Sequence, residues 1–284
     1  MNNLTNYHSH CTFCDGRADM EPFVRFAVGR GFTSYGFTSH APLPFSTRWT
    51  MEWDRMDDYL SEFRRLRAKY ADRIELYVGL EIDYLNDDSN PSIDRFRRLP
   101  LDYRIGSVHT LYNDAGKVVD IDLPADAFTL MVNREFRGDV ERVLRLYYER
   151  VMRMIGLGGF EILGHADKPH RNAALIRPGL LDKPWYDELI TNVFREAIRR
   201  DIQIEINTKG LFDVGTFFPN ERYFPLLHEM GAKVQVNSDA HYPDLISVGR
   251  AEALRALRRA GFRSVMELVH GRWCEVDIAE VYAT

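Results

Sequence analysis

Cysteine is scarce in this 284-residue chain, with only Cys11, Cys14 and Cys274, so no disulfide framework holds it together. Long apolar runs are missing too: none approaches the ~18 residues that a membrane-spanning helix needs. The first residues lack the basic and then apolar pattern of an export signal, and a soluble cytoplasmic protein is the expectation. Positive charge is not in excess, since 37 Lys and Arg stand against 42 Asp and Glu for a net charge of −5. A partner such as nucleic acid or an anionic membrane is therefore not expected. What remains is a composition, 45% hydrophobic and 28% charged, that fits a soluble globular protein with a sizeable core. Cys11 and Cys14 have the spacing of a redox pair or half a zinc site, but no second such pair follows, and we read them as thiols packed beside a site.

Hydrophobic periodicity divides the chain into repeated β-α units. Strands are expected at residues 4–10, 34–40, 74–84, 101–110, 161–167, 202–207 and 233–241. Between them run amphipathic helices. The first carries Met20, Phe23, Val24, Ala27 and Val28 on one face, with Asp19 as N-cap and Gly31 as C-cap. Others are expected at 56–70, 93–99, 140–155, 186–198, 223–230 and 249–260. Residues 111–137 read as an insertion able to fold over a site as a lid, 168–177 as a basic loop, and the tail after 260 carries no clear element. Regular alternation of this kind implies one α/β domain over 1–284, a parallel sheet covered by helices, either closed into a barrel or open and doubly wound.

Polar residues choose between the two. His8 and His10 are separated by one residue, so both imidazoles face the same side of a strand. The ends of later strands carry His40, Glu81, His109, His165, Asn207, and finally Asp239 and His241, while Asp15 follows the first strand closely. An open sheet gathers its ligands at one switch point, whereas a barrel collects them from every C-terminal strand end, so the barrel is favoured. At least eight imidazole and carboxylate ligands exceed what one ion takes, and two or three metals are implied. We group His8, His10, Glu81 and Asp239 on a central ion, Glu81, His109 and His165 on a second, and Asp15, His40 and His241 on a third. Mixed nitrogen and oxygen donors suit Zn, Mn or Fe. Such clusters turn a bridging water into hydroxide and neutralise an in-line phosphoryl displacement, which makes Glu81, Asp239 and His241 the catalytic candidates. For phosphate oxygens the candidates are Lys168, Arg171 and Lys209, followed by Arg48, His170, Ser107 and Asn207; Ser107 shares a strand face with His109 and is equally a candidate to stand behind the ligands.

Taken together, His8-Ser9-His10 with Asp15-Gly16, Ser39-His40, Gly79-Leu80-Glu81, Gly106-Ser107-Val108-His109, Gly164-His165-Ala166-Asp167 and Ser238-Asp239-Ala240-His241 resemble the motifs of the PHP (polymerase and histidinol phosphatase) family. The resemblance implies a distorted (β/α)7 TIM-like barrel with three divalent metal ions. Within the family the chain is most similar to the free-standing histidinol-phosphatases, through His40-Ala41-Pro42-Leu43-Pro44, Glu81-Ile82-Asp83-Tyr84, Val119-Asp120-Ile121-Asp122 and Glu205-Ile206-Asn207-Thr208. That likeness implies hydrolysis of L-histidinol phosphate to L-histidinol and phosphate. The alternative is a PHP phosphoesterase for another small phosphate ester or a phosphotyrosyl protein. An amidohydrolase-like C–N hydrolase is disfavoured, because ligands here continue on the second, third and fourth strands. A non-catalytic, polymerase-associated module fits neither the acidic balance nor the absence of a polymerase domain. Cys11, Cys14 and Lys209, in the Asn207-Thr208-Lys209-Gly210 turn, depart from the family pattern.

Overall fold

The computed structural model describes residues 4–278, with the backbone alone for 212–214. Its first half runs β1 (Thr5–Asn6), α1 (Met20–Arg30), β2 (Ser34–Phe37), α2 (Met56–Lys69), β3 (Glu75–Asp83), α3 (Asp94–Arg97) and β4 (Tyr103–Ser107). The insertion follows as β5 (Thr110–Tyr112), β6 (Val118–Asp120) and α4 (Ala125–Phe136), leading into α5 (Val140–Leu157). The remainder is β7 (Ile162–Leu163), α6 (His170–Ile176), α7 (Pro184–Arg199), β8 (Gln203–Asn207), α8 (Lys209–Val214), α9 (Phe224–Glu229), β9 (Val234–Asn237), α10 (Arg250–Arg259), β10 (Ser264–Val269) and β11 (Arg272–Asp277).

Seven strands lie in the order β1-β2-β3-β4-β7-β8-β9, every pair parallel. The ring closes where Ser9 bridges Ala240 in parallel and the His10 amide donates to the Ala240 carbonyl at 2.9 Å. The fold is a distorted (β/α)7 TIM-like barrel; the distortion shows in β1 and β7, only 2 residues each. The outer helices are amphipathic as read. In α1, Met20, Phe23, Val24 and Ala27 are buried, and Gly31 ends the helix at φ 77° with its amide on Ala27 and Val28. Asp19 stands at the N-cap position, but its carboxylate takes the Thr12 hydroxyl and caps nothing.

The N-terminal mouth of the barrel is filled by Tyr7, Tyr77, Tyr103, Ile105, Ile162, Leu268 and Trp273. Tyr103 reaches across because β2 carries Gly36: a Cβ there would stand 2.1 Å from the phenol oxygen. Within the tail after 260, residues 279–284 lie outside the described residues, and residues 264–277 plug this mouth as an antiparallel hairpin of β10 and β11. Its turn, His270-Gly271, has φ of 50° and 75°, the pair of positive values that a tight two-residue hairpin turn requires, and the His-Gly dipeptide between two alternating runs was the missed signal. Two other segments are more regular than expected. Residues 111–137 form β5, β6 and α4, and the basic loop at 168–177 contains α6, whose buried Ala173 is hidden in sequence by flanking charge.

Candidate metal centre

The candidate ligands sit just beyond the strand ends, where the backbone leaves the ladder and side chains are no longer held to strict alternation. Gly16 brings Asp15 back over the barrel: a Cβ at that position would stand 2.4 Å from the main chain of His10 and Cys11. His165 and Asp239 adopt φ of 23° and 49°, left-handed conformations that cost a non-glycine residue energy and that gather at functional sites.

Glu81 lies at the centre. One carboxylate oxygen, Oε2, is 3.2 Å from His8 Nε2, 3.5 Å from His10 Nε2 and 3.0 Å from His40 Nδ1. The other, Oε1, is 2.8 Å from His165 Nε2 and 3.5 Å from His109 Nε2. Asp239 Oδ1 is 3.1 Å from His10 Nε2 and 3.6 Å from His241 Nδ1, and Asp15 Oδ2 is 3.3 Å from His241 Nε2. The His10 ring lies between those of His40 and His241, 4.3 Å from each. Four sets offer donor atoms within 4.8 Å of one another: His10, Asp15, His40 and His241; His8, Glu81 and His165; His8, His10 and Asp239; and His40, Asp83 and His109. The structure thus brings all nine residues read as ligands to one mouth. Its sets differ in detail from the expected grouping, with His10 joining Asp15, His40 and His241, and Asp83 joining His109.

Two observations test whether this donor set suits divalent cations. His8 Nε2, His10 Nε2, His40 Nδ1, His165 Nδ1 and Asp15 Oδ1 are buried without a hydrogen-bond partner. Unpaired buried polar atoms are costly, and three of these nitrogens converge on Glu81 Oε2, where a cation would satisfy them all. The chemistry of imidazole and carboxylate donors also fits borderline divalent ions. Charges within the cluster are strongly coupled. Burial opposes a proton on His8, yet Glu205, Glu81 and Asp239 hold its pKa well above the ordinary value. His10 is pushed well below by burial and by His40 and His241. Burial works against ionisation of Glu81, but His8, His40 and His109 keep it well below the usual carboxylate range, and Lys209 and His8 do the same for Asp239. Against burial, Asp83 and Glu81 lift His109 to about 10.

Around the cluster lie carboxylates that sequence reasoning left out of the site. Glu205 Oε1 accepts from His8 Nδ1 at 2.7 Å, while Oε2 accepts the His165 amide at 2.9 Å. Asp83 meets both the amide and Nδ1 of His109, at 2.8 and 3.0 Å. Each shares its strand phase with a residue in the expected site, Glu205 with Asn207 and Asp83 with Glu81, so the alternation could have found them. Such partners fix ring orientation and tautomer.

The phosphate candidates divide. Lys168, Arg171 and Lys209 line a cavity of about 140 Å³ together with Asp122, Asn172 and Phe218. Lys168 Nζ is 3.1 Å from Asp122 Oδ2, and Lys209 Nζ is 3.2 Å from Asp239 Oδ1, which ties this cavity to the cluster. Ser107 is instead committed to the carboxylate, donating to Glu81 Oε1 at 2.6 Å. Asn207 bridges Glu205 and Asp239, at 3.1 and 3.3 Å, and accepts from the Lys209 amide. His170 Nδ1 faces the Tyr186 hydroxyl at 2.8 Å. Arg48 is exposed on the loop before α2, whose next residue, Trp49, stands edge-on to His40 and His109. Among the described residues no helix is long and apolar enough to cross a membrane.

A seven-stranded parallel barrel with histidines and carboxylates at its C-terminal mouth defines a metal-centre barrel of the hydrolase type. Residues 6–209 match the PHP domain, and the chain belongs to the PHP family. Its curated relatives include a probable histidinol-phosphatase of Deinococcus radiodurans, 27% identical with 93% of this chain and 96% of the relative covered. Another, from Schizosaccharomyces pombe, is 24% identical over 93% of this chain and 89% of its own length. Among solved structures, a putative histidinol phosphatase of Listeria monocytogenes superposes with a TM-score of 0.78 at 23% identity, covering 87% of this chain and 99% of that one. The histidinol phosphate phosphatase of Lactococcus lactis, solved with zinc, L-histidinol and phosphate, gives 0.72 at 18% identity, with 96% and 100% covered.

Proposed function

We propose that the chain is a metal-dependent phosphomonoesterase that hydrolyses L-histidinol phosphate to L-histidinol and phosphate. The observation that carries this reading is a cluster of buried, unpartnered imidazole nitrogens joined through Lys209 to a cavity with three cationic side chains and one carboxylate. A phosphate ester that also carries an ammonium group matches that charge pattern: Lys168, Arg171 and Lys209 are the cations for the phosphate, and Asp122, paired with Lys168 at 3.1 Å, is the carboxylate beside them for the ammonium. The curated relatives and the Lactococcus lactis enzyme support the same choice.

In this reading His8, His10, Asp15, His40, Glu81, His109, His165, Asp239 and His241 hold up to three divalent cations, Zn, Mn or Fe. Bound there, the cations supply Lewis acidity and lower the pKa of the attacking water. The chain's own groups do the rest. Glu81 presents one oxygen to each half of the cluster, Ser107 fixes its orientation, and Glu205 and Asp83 turn the rings of His8 and His109. Lys168 and Lys209 bring positive charge to phosphate oxygens, which favours the charge built up in transfer. The loop that follows the β5-β6 hairpin and the start of α4 act as a lid, since Asp122, Leu123, Pro124 and Ala125 form one wall of the cavity.

Phosphate release by the purified, metal-loaded protein tests the proposal against a panel of L-histidinol phosphate, sugar phosphates, nucleotides and a phosphotyrosyl peptide. We expect kcat/KM for histidinol phosphate to exceed the others by on the order of 10²-fold. Equal or better turnover of a nucleotide or sugar phosphate rejects the substrate assignment.

A further inference from the structure

The imidazoles of the cluster differ in what engages Nδ1. For His8 it is the Glu205 carboxylate at 2.7 Å and for His109 the Asp83 carboxylate at 3.0 Å, while for His241 it is the main-chain oxygen of Asp239 at 3.0 Å, with the Lys209 ammonium farther off at 3.4 Å. Each of these acceptors keeps a proton on Nδ1 and leaves Nε2 free to donate its lone pair. His165 Nδ1 has no partner, and His10 has neither a carboxylate nor a carbonyl within hydrogen-bond distance there. Its Nδ1 lies 3.5 Å from Cys14 Sγ, within the reach of a sulfur hydrogen bond.

The choice matters for His10 because, like His8 and His40, it stands within reach of more than one ion position. It belongs to two of the four donor sets, one with His8 and Asp239, the other with Asp15, His40 and His241. Nε2 is buried and unpartnered, 3.1 Å from Asp239, whereas Nδ1 is 3.9 Å from Asp15. One nitrogen therefore serves the centre, and the other would serve the outer set if nothing held it. Cys14 can hold it because the turn that returns the chain at Gly16, with the Cys14 amide on the Cys11 carbonyl at 2.9 Å, folds the sulfur back over the ring four residues earlier. Cys11 has a different environment, fully buried with its sulfur 3.3 Å from the Ser39 hydroxyl.

We propose that Cys14 is a positioning residue whose sulfur accepts a hydrogen bond from His10 Nδ1, fixing the Nδ1–H tautomer and committing Nε2 to the cation position shared with His8 and Asp239. The proposal rests on the metal-centre reading, and its test separates the two. Zinc affinity is measured by chelator competition for the wild type, Cys14→Ala and Cys14→Ser, together with 15N spectra of the zinc-loaded histidine rings. The wild type is expected to show His10 with a proton on Nδ1 and a metal-shifted Nε2. Cys14→Ala weakens zinc by about 10- to 100-fold and removes the slow-exchanging Nδ1 proton, and Cys14→Ser, which keeps an acceptor, restores most of both. Unchanged affinity and ring shifts in Cys14→Ala overturn the proposal, as does a thiolate-to-metal charge-transfer band in the cobalt-substituted wild type, which would make Cys14 a ligand. Should Cys14→Ala not fold, the wild-type spectrum decides alone: an unprotonated Nδ1 on His10 refutes it. A wild type that takes up no zinc rejects the metal-centre reading itself.

Discussion

The two mouths of the barrel bury polar groups on opposite terms. At the N-terminal mouth every hydroxyl of the aromatic cluster is used. Tyr7 bonds Ser34 at 2.6 Å and accepts the Leu268 amide, Tyr103 donates to the Tyr7 carbonyl at 2.7 Å, and Tyr77 bonds Glu75 and the Gly271 amide. At the C-terminal mouth, a few residues along the same strands, five atoms of the candidate ligands, four ring nitrogens and Asp15 Oδ1, are buried without a partner. The first arrangement is a solution for stability, with rings packed edge to face and polar tips satisfied. The second would be a defect in a protein without a ligand to complete it. One sequence, with polar residues at one phase of each strand, produces both.

The strongest way to break this contrast is Glu81→Gln. Glu81 presents one carboxylate oxygen to each half of the C-terminal cluster, so the amide is expected to lower metal content and to reduce kcat by on the order of 10³-fold, while urea unfolding shows little loss. Elemental analysis and phosphate release check it; full metal occupancy with wild-type turnover would show that the unpartnered atoms are not a cation site. Tyr103→Ala is the converse. Removing a fully buried ring that spans from β4 to Gly36 is expected to cost about 3 kcal/mol in urea unfolding, and turnover per folded molecule should stay within about twofold of wild type. A large fall in turnover with unchanged stability would mean the two mouths are not separable.

How much of this was readable in the sequence follows from the same distinction. The ligands of the C-terminal mouth were legible because His8 and His10, Glu81, His109 and Asp239 recur at one phase of successive strands, and phase is a local property of sequence. Glu205 and Asp83 were legible by the same rule and were passed over only because each shares its strand with a residue already in the site. Ser107 was legible as a group beside the ligands, since it shares a strand face with His109, but its partner Glu81, and Asp239 as a partner of Asn207, were not, because contacts of 2.6 and 3.3 Å across strands depend on register and twist. Nor was the Lys168–Asp122 pair, which exists because the β5-β6 hairpin folds back over the barrel. The plug at the other mouth was hidden for a different reason: β10 packs inward through Val265 and Leu268, but β11 adds little beyond Trp273 and is half exposed, so hydrophobic periodicity is weak along it.

A finer probe of the C-terminal mouth is Glu205→Gln. The carboxylate accepts from His8 Nδ1, Asn237, the His165 amide and Asn207, at 2.7, 3.0, 2.9 and 3.1 Å, so an amide must turn a donor toward other donors on one side. Metal affinity is expected to fall by about 10- to 100-fold, with kcat at saturating metal much closer to wild type than in Glu81→Gln. Equal losses in the two variants would mean that Glu205 acts directly and not by orienting His8.

The smallest effect concerns a histidine at the same mouth that is satisfied. His170 Nδ1 bonds the Tyr186 hydroxyl, which in turn bonds Tyr148; Asp167, 3.5 Å away, is itself raised by burial to about 7, and burial together with the nearby Arg222 lowers the His170 pKa from 6.5 to about 4. Because the folded value lies below the unfolded one, the unfolded chain binds the extra proton between them. The stability His170 contributes is therefore complete above about 6.5 and is lost as pH falls toward about 4. Between about pH 7.5 and 5.5 its share amounts to on the order of 1 kcal/mol. In His170→Gln the drop in unfolding free energy over that interval should shrink by this amount, while metal content stays at the wild-type level. Urea titrations of both proteins at the two pH values measure the difference. An identical pH dependence would show that His170 titrates normally, and loss of metal would place it among the ligands instead of beside them.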